Sequence, residues 1–159
     1  MKRYSFAPVQ ARPFPTLHEL DNPWIFGNVR SIINVSERTS EALITEYERR
    51  GIAYHHFPLS EETDDIGWTN LLLAVDVLRN NVLHNVPTIV HCMCGNHRSR
   101  LVVEATHYSL TGQHLEDPYK GAPNHLLYNL KNGHFPLTRE AAENQLCILS
   151  PILENLQGV

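Results

Sequence analysis

The sequence predicts an α/β fold in one domain: a central, mostly parallel sheet with helices on both faces. Three observations carry this. Short β-branched runs alternate with stretches of helical periodicity along the chain, the order that builds parallel sheets through crossover helices. The run "PTIVH" is apolar on both faces, as the centre of such a sheet requires. And 159 residues suffice for one continuous core and fit one domain.

The elements follow in order. Residues 1–23 hold four of the ten prolines (Pro8, Pro13, Pro15, Pro23) and read as an extended arm lying over the surface of a domain formed by residues 24–159. "SIINVSE" reads as a buried strand. "SEALITEYERRG" reads as a helix, with Ser40 as N-cap and Gly51 as its stop. "IAYHHFPL" is a second strand, closed near Pro58, and "SEETDDIG" is a polar acidic loop. Apolar residues at Trp68, Leu71, Leu72, Val75, Leu78 and Val82 form a helical stripe. After the strand "PTIVH", "RSRLVVEATHYSLTG" reads as a helix ended by Gly112. "PNHLLYNLKNG" is a short helix. Residues 138–156 form a last helix, with Thr138 as cap, Cys147 in its core stripe and Pro151 as a kink.

Composition narrows the function classes. A net charge of −4 gives no electrostatic case for nucleic acid or an anionic membrane as the main partner. No apolar run approaches a bilayer span, and the N-terminal residues lack the apolar segment of a signal peptide. Three cysteines, two of them one residue apart, make no disulfide framework. A reducing, cytoplasmic location is expected.

The chemistry concentrates in "HCMCGNHRS", residues 91–99. In parallel sheets, sites form beyond the carboxyl ends of strands, and Cys92 stands there. The loop that follows runs into a helix N-terminus, so its backbone N–H groups, from Met93, Cys94, Gly95, Asn96, His97 and Arg98, can converge on one centre. The helix dipole adds partial positive charge. Such a nest binds a tetrahedral dianion and stabilises a thiolate. Gly95 permits the tight turn. Arg98 offers a planar fork to two phosphate oxygens. Ser99 can hydrogen-bond the thiolate, making Cys92 a better leaving group in a second step, and His91 can order the loop through its ring nitrogens. Together these residues suit nucleophilic attack by Cys92 on phosphorus, a thiophosphate intermediate, and its hydrolysis by water. Neither a metal nor an organic cofactor is expected.

Cys94 reads chiefly as a small side chain filling the back of the loop, with redox pairing to Cys92 as the functional alternative. His91, Cys92, Cys94 and His97 cluster in sequence, yet the second distant pair that zinc sites use is missing. His55 and His56, adjacent on one strand, point to opposite faces and cannot both line one site.

The motif resembles the His-Cys-x5-Arg-Ser/Thr signature of the cysteine-dependent protein tyrosine phosphatases, and the mid-chain position and short length resemble the dual-specificity branch. "IINVSE" and "YHHFPLSE" are similar to the two strands that precede the loop there, so the resemblance covers residues 26–110. Cys-x5-Arg alone would arise by chance in a chain of this composition at ~0.2, and the added His, Gly and Ser lower that to about 10⁻⁵. The resemblance implies a metal-independent phosphatase acting on a phosphorylated protein or peptide: on phosphotyrosine, and by extension phosphoserine and phosphothreonine. It also implies a general acid after the strand "YHHFPL". The family pattern Ile-Pro-x-x-Asp laid on "FPLSE" puts Glu61 at that place, with Asp64 and Asp65 as alternatives. The competing classes are a phosphatase of phosphoinositides, RNA 5′-triphosphates or glycans, a sulfurtransferase or arsenate reductase, and a phosphate-binding pseudophosphatase. Phosphoinositide-directed relatives commonly carry basic residues inside the loop, where this chain has Asn96 and His97.

Overall fold

The computed structural model describes residues 9–60, 67–93 and 98–111. The readings for residues 112–159, with Thr138, Cys147 and Pro151, lie outside the described residues. Among the described residues four strands form one parallel sheet in the order β1-β4-β2-β3: β1 (Val9–Arg12), β2 (Ser31–Asn34), β3 (Ala53–His56) and β4 (Thr88–His91). β4 lies between β1 and β2, pairing Arg12 with His91 on one side and Asn34 with His91 on the other.

The side chains of β2 and β4 alternate between two cores. Ile33 and Val90 face α3 (Trp68–Leu83) and α4 (Arg98–Thr111), packing with Leu71, Val75, Leu78, Val82, Leu101 and Val102. Ile32 and Ile89 face the other way, onto Leu20, Phe26 of α1 (Pro23–Phe26), and Leu43 and Tyr47 of α2 (Glu41–Arg49). Helices therefore cover both faces, as expected of a parallel sheet. Among the described residues no helix is long and apolar enough to cross a membrane.

The helix signals act as anticipated. Ser40 Oγ accepts the Leu43 N–H at 3.3 Å, satisfying an orphan donor of the first turn. Gly51 follows α2 with φ of +69°, a conformation that suits glycine. On α3, Leu71, Val75, Leu78 and Val82 are buried, but Leu72 is exposed. One position off the stripe turns a side chain by about 100°, so Leu72 leaves the core face.

Residues 9–12 depart from the expected arm. They form an edge strand hydrogen-bonded to β4, with Val9 and Ala11 packed against the core. The chain then stays on the body of the protein: Phe14 N–H donates to Met93 O at 3.0 Å, and Leu20 is buried. The prolines at 13 and 15 end the strand but do not detach the segment.

Candidate active site

The carboxyl end of β4 is held from both sides. Val35 N–H donates to His91 O at 2.9 Å, and Cys92 N–H donates to Arg12 O at 3.3 Å. These bonds fix the backbone where the strand stops, and with it the direction of the Cys92 side chain. Cys92 is 2% exposed, and Ser99, in the first turn of α4, is fully buried. Cys92 Sγ and Ser99 Oγ are 3.4 Å apart. The strand and the helix thus bring together two side chains seven positions apart, the cysteine at the end of one element and the serine at the start of the other.

Arg98 opens α4 and is also buried. Its Nη1 donates to Leu59 O at 3.0 Å. Leu59 is itself fixed: it is fully buried, and its N–H donates to Val35 O at 3.0 Å. Asn70 Nδ2, near the start of α3, donates to Pro58 O at 2.9 Å. Gly67, at φ of +97°, would bring a Cβ to 3.4 Å from Pro58 O. The two flanks of residues 61–66 are therefore joined beside the Arg98 guanidinium. Glu61, Asp64 and Asp65 lie outside the described residues, as do Cys94, Gly95, Asn96 and His97. The base of the acidic loop, however, sits against the arginine of the motif.

His91 is 1% exposed. Its Nδ1 is 3.4 Å from Cys92 O, a long contact, and its ring packs on Phe14 at 4.8 Å between centroids with an interplanar angle of 76°. Burial pushes its pKa down to about 4, so the imidazole is neutral near pH 7. Met93, the first loop residue, is partly exposed at the mouth of the site. Among the described residues no group of three His, Cys, Asp or Glu side chains could hold a metal ion. His55 and His56 diverge as their adjacent positions require: His55 stacks on Phe57, and His56 stacks on Tyr54.

Three groups around the site escaped the sequence reading. The Leu59 carbonyl is a backbone group, for which side-chain type gives no signal. Phe14 sits in a proline-rich stretch without periodicity. Arg38 lies with its guanidinium carbon 5.0 Å from the centre of the Phe14 ring. Only its place after a strand, at the carboxyl end of the sheet, could have flagged it.

No family profile matches the sequence. No curated protein matches it either. Solved structures do. Tk-PTP in its active form is 23% identical, with 67% of this chain and 71% of that one covered at a TM-score of 0.57. PTPMT1 in complex with PI(5)P is 16% identical, with 95% and 93% covered at 0.65. DUSP15 is 16% identical, with 98% and 94% covered at 0.60. These likenesses extend over 67% to 98% of the chain, and this protein has the fold of the cysteine-dependent tyrosine and dual-specificity phosphatases.

Proposed function

We infer that the protein is a metal-independent phosphomonoesterase of phosphotyrosine, with phosphoserine and phosphothreonine as further substrates, working through a cysteinyl-phosphate. The observation that carries this reading is the buried Cys92 Sγ, 3.4 Å from Ser99 Oγ at the N-terminus of a helix whose first residue is Arg98.

In the first step the Cys92 thiolate attacks phosphorus, and the bond to the leaving oxygen breaks. That oxygen takes a proton from an acid of the loop after β3, Glu61 in our assignment, with Asp64 or Asp65 as alternatives. In the second step water attacks the thiophosphate, giving its proton to the carboxylate left by the first step, and Cys92 leaves as thiolate with the Ser99 O–H donating to the sulfur. Arg98 and the backbone N–H groups of residues 93–98 carry the charge of the equatorial oxygens in both steps. The Arg98–Leu59 bond ties the guanidinium to the residue just before the acidic loop, which supports drawing the proton donor from that loop. His91 lies behind Cys92 as a neutral ring, in keeping with support of the loop rather than proton transfer.

The test uses pure, EDTA-treated protein and p-nitrophenyl phosphate. Wild type turns it over. Cys92→Ser binds phosphate without turnover, because the cradle and Arg98 remain while the nucleophile is lost. Arg98→Lys falls by at least about 100-fold in kcat/KM, since a point ammonium cannot replace a planar fork. Turnover by Cys92→Ser above a few per cent of wild type refutes the covalent mechanism. A panel of phosphopeptides, phosphoinositides, RNA 5′-triphosphates and phosphoglycans separates the protein-directed reading from its competitors.

A further inference from the structure

The connection from β2 to α2 is anchored beyond what a surface turn needs. Asn34 Oδ1 accepts the Ser36 N–H at 2.9 Å and lies 2.7 Å from Ser36 Oγ. Asn34 Nδ2 donates to Arg38 O at 2.7 Å and to the Tyr54 hydroxyl at 3.0 Å. His56 Nε2 meets Ser36 O at 2.8 Å. Asn34 and Ser36 are buried. A single asparagine thus holds the loop closed, and two side chains of β3 brace it from the side.

This rigid loop presents Arg38, whose side chain is exposed. The guanidinium stands over Phe14. Phe14 in turn packs on His91, the neighbour of Cys92, and its N–H holds Met93 O, the first carbonyl of the phosphate loop. A cation therefore stands at the carboxyl end of the sheet, one aromatic ring away from the residue before the nucleophile. Arg12, at the same end of the sheet, is paired with Glu19 at 2.9 Å. Among the described residues no carboxylate pairs with Arg38, in a chain whose net charge is −4.

We propose that Arg38 is a specificity-determining residue that selects substrates with a second anionic group beside the scissile phosphate: on a phosphotyrosine peptide, an Asp or Glu flanking the phosphotyrosine. The inference rests on the phosphotyrosine reading above. The phosphoryl group occupies the loop at Cys92, and the peptide backbone leaves the pocket past Met93 and Phe14. An acidic side chain there meets the guanidinium. The Arg38 backbone carbonyl holds the loop and the Phe14 ring carries the guanidinium, so its N–H donors are left for an acidic side chain and less freedom is lost when substrate arrives.

The experiment compares matched phosphotyrosine peptides with Glu, Ala or Lys beside the phosphotyrosine, alongside p-nitrophenyl phosphate, for wild type, Arg38→Ala and Arg38→Glu. Wild type should favour the Glu peptide over the Ala peptide by about fivefold in kcat/KM, mostly through KM, as one exposed ion pair allows. The preference should fade at high salt. Arg38→Ala should lose it while keeping p-nitrophenyl phosphate turnover within about twofold, since a rim charge bears on encounter and binding rather than on the chemical step. Arg38→Glu should favour the Lys peptide. An unchanged Glu-to-Ala ratio in Arg38→Ala, or an equal loss on p-nitrophenyl phosphate, overturns the assignment. Turnover of p-nitrophenyl phosphate without turnover of any peptide refutes the phosphotyrosine reading and this inference together.

Discussion

Ser99→Ala tests the second half of the proposed catalytic cycle. In the structure the Ser99 hydroxyl is fully buried and 3.4 Å from a Cys92 sulfur that is itself 2% exposed. Water therefore has little room to replace the donor. A hydrogen bond to a charged group is worth about 1.5–3 kcal/mol, which corresponds to about one to two orders of magnitude in rate. The direction depends on the step. When Cys92 attacks, the donor stabilises the thiolate reactant, so removing it does not slow that step. When the thiophosphate is hydrolysed, the donor stabilises the departing thiolate, and its loss falls on that barrier in full. The expected result is a stoichiometric burst of p-nitrophenol in stopped flow, followed by a steady state slower than wild type by about 10- to 100-fold. A trapped phosphoenzyme should accumulate at the same time. The substitution removes one oxygen atom and leaves no charge behind, so the melting temperature should shift only slightly. A steady state within about twofold of wild type, without a burst, would remove Ser99 from the mechanism.

Three further expectations are independent of that one. Because burial depresses the pKa of His91 to about 4, while an unfolded histidine titrates near 6.5, the unfolded chain takes up a proton in this window that the native state refuses. The stability from this group is complete above about pH 6.5 and is lost as pH falls towards 4, by about 3 kcal/mol in all. Urea titrations of wild type and His91→Gln should show a flatter profile in the variant over that window, and equal slopes would contradict the assignment. Tyr47 is buried, and among the described residues its hydroxyl has no hydrogen-bond partner. Tyr47→Phe should therefore leave stability unchanged or raise it by up to about 1 kcal/mol, and a clear drop in the urea midpoint would reveal a partner. For the general acid, Glu61→Gln should slow phenyl phosphate far more than a difluoromethylumbelliferyl ester, whose leaving group departs unprotonated. If the selective loss appears in Asp64→Asn or Asp65→Asn instead, that aspartate is the acid.

What could be read from the residues alone was local. The Ser40 cap, the Gly51 stop, the buried run of β4 and the spacing from Cys92 to Arg98 and Ser99 each depend on residues within a few turns of one another. Hydrophobic period and cap chemistry act over that range. The cysteine and the serine were seen to face one site because a strand end and a helix start can meet in few ways across so short a loop. What only the tertiary structure decided was non-local. Val9–Arg12 alternates apolar and polar residues over only four positions between Pro8 and Pro13, too short a pattern to tell from an arm, and it becomes β1 because β4 offers it a backbone edge. The bond from Arg98 to Leu59 spans 39 positions and uses a carbonyl, which every residue carries. Phe14 and Arg38 meet beside His91 from two separate loops. Contacts of this kind leave no periodic trace, because each partner's own neighbours in the chain would permit many other environments, and only closure of the sheet selects one.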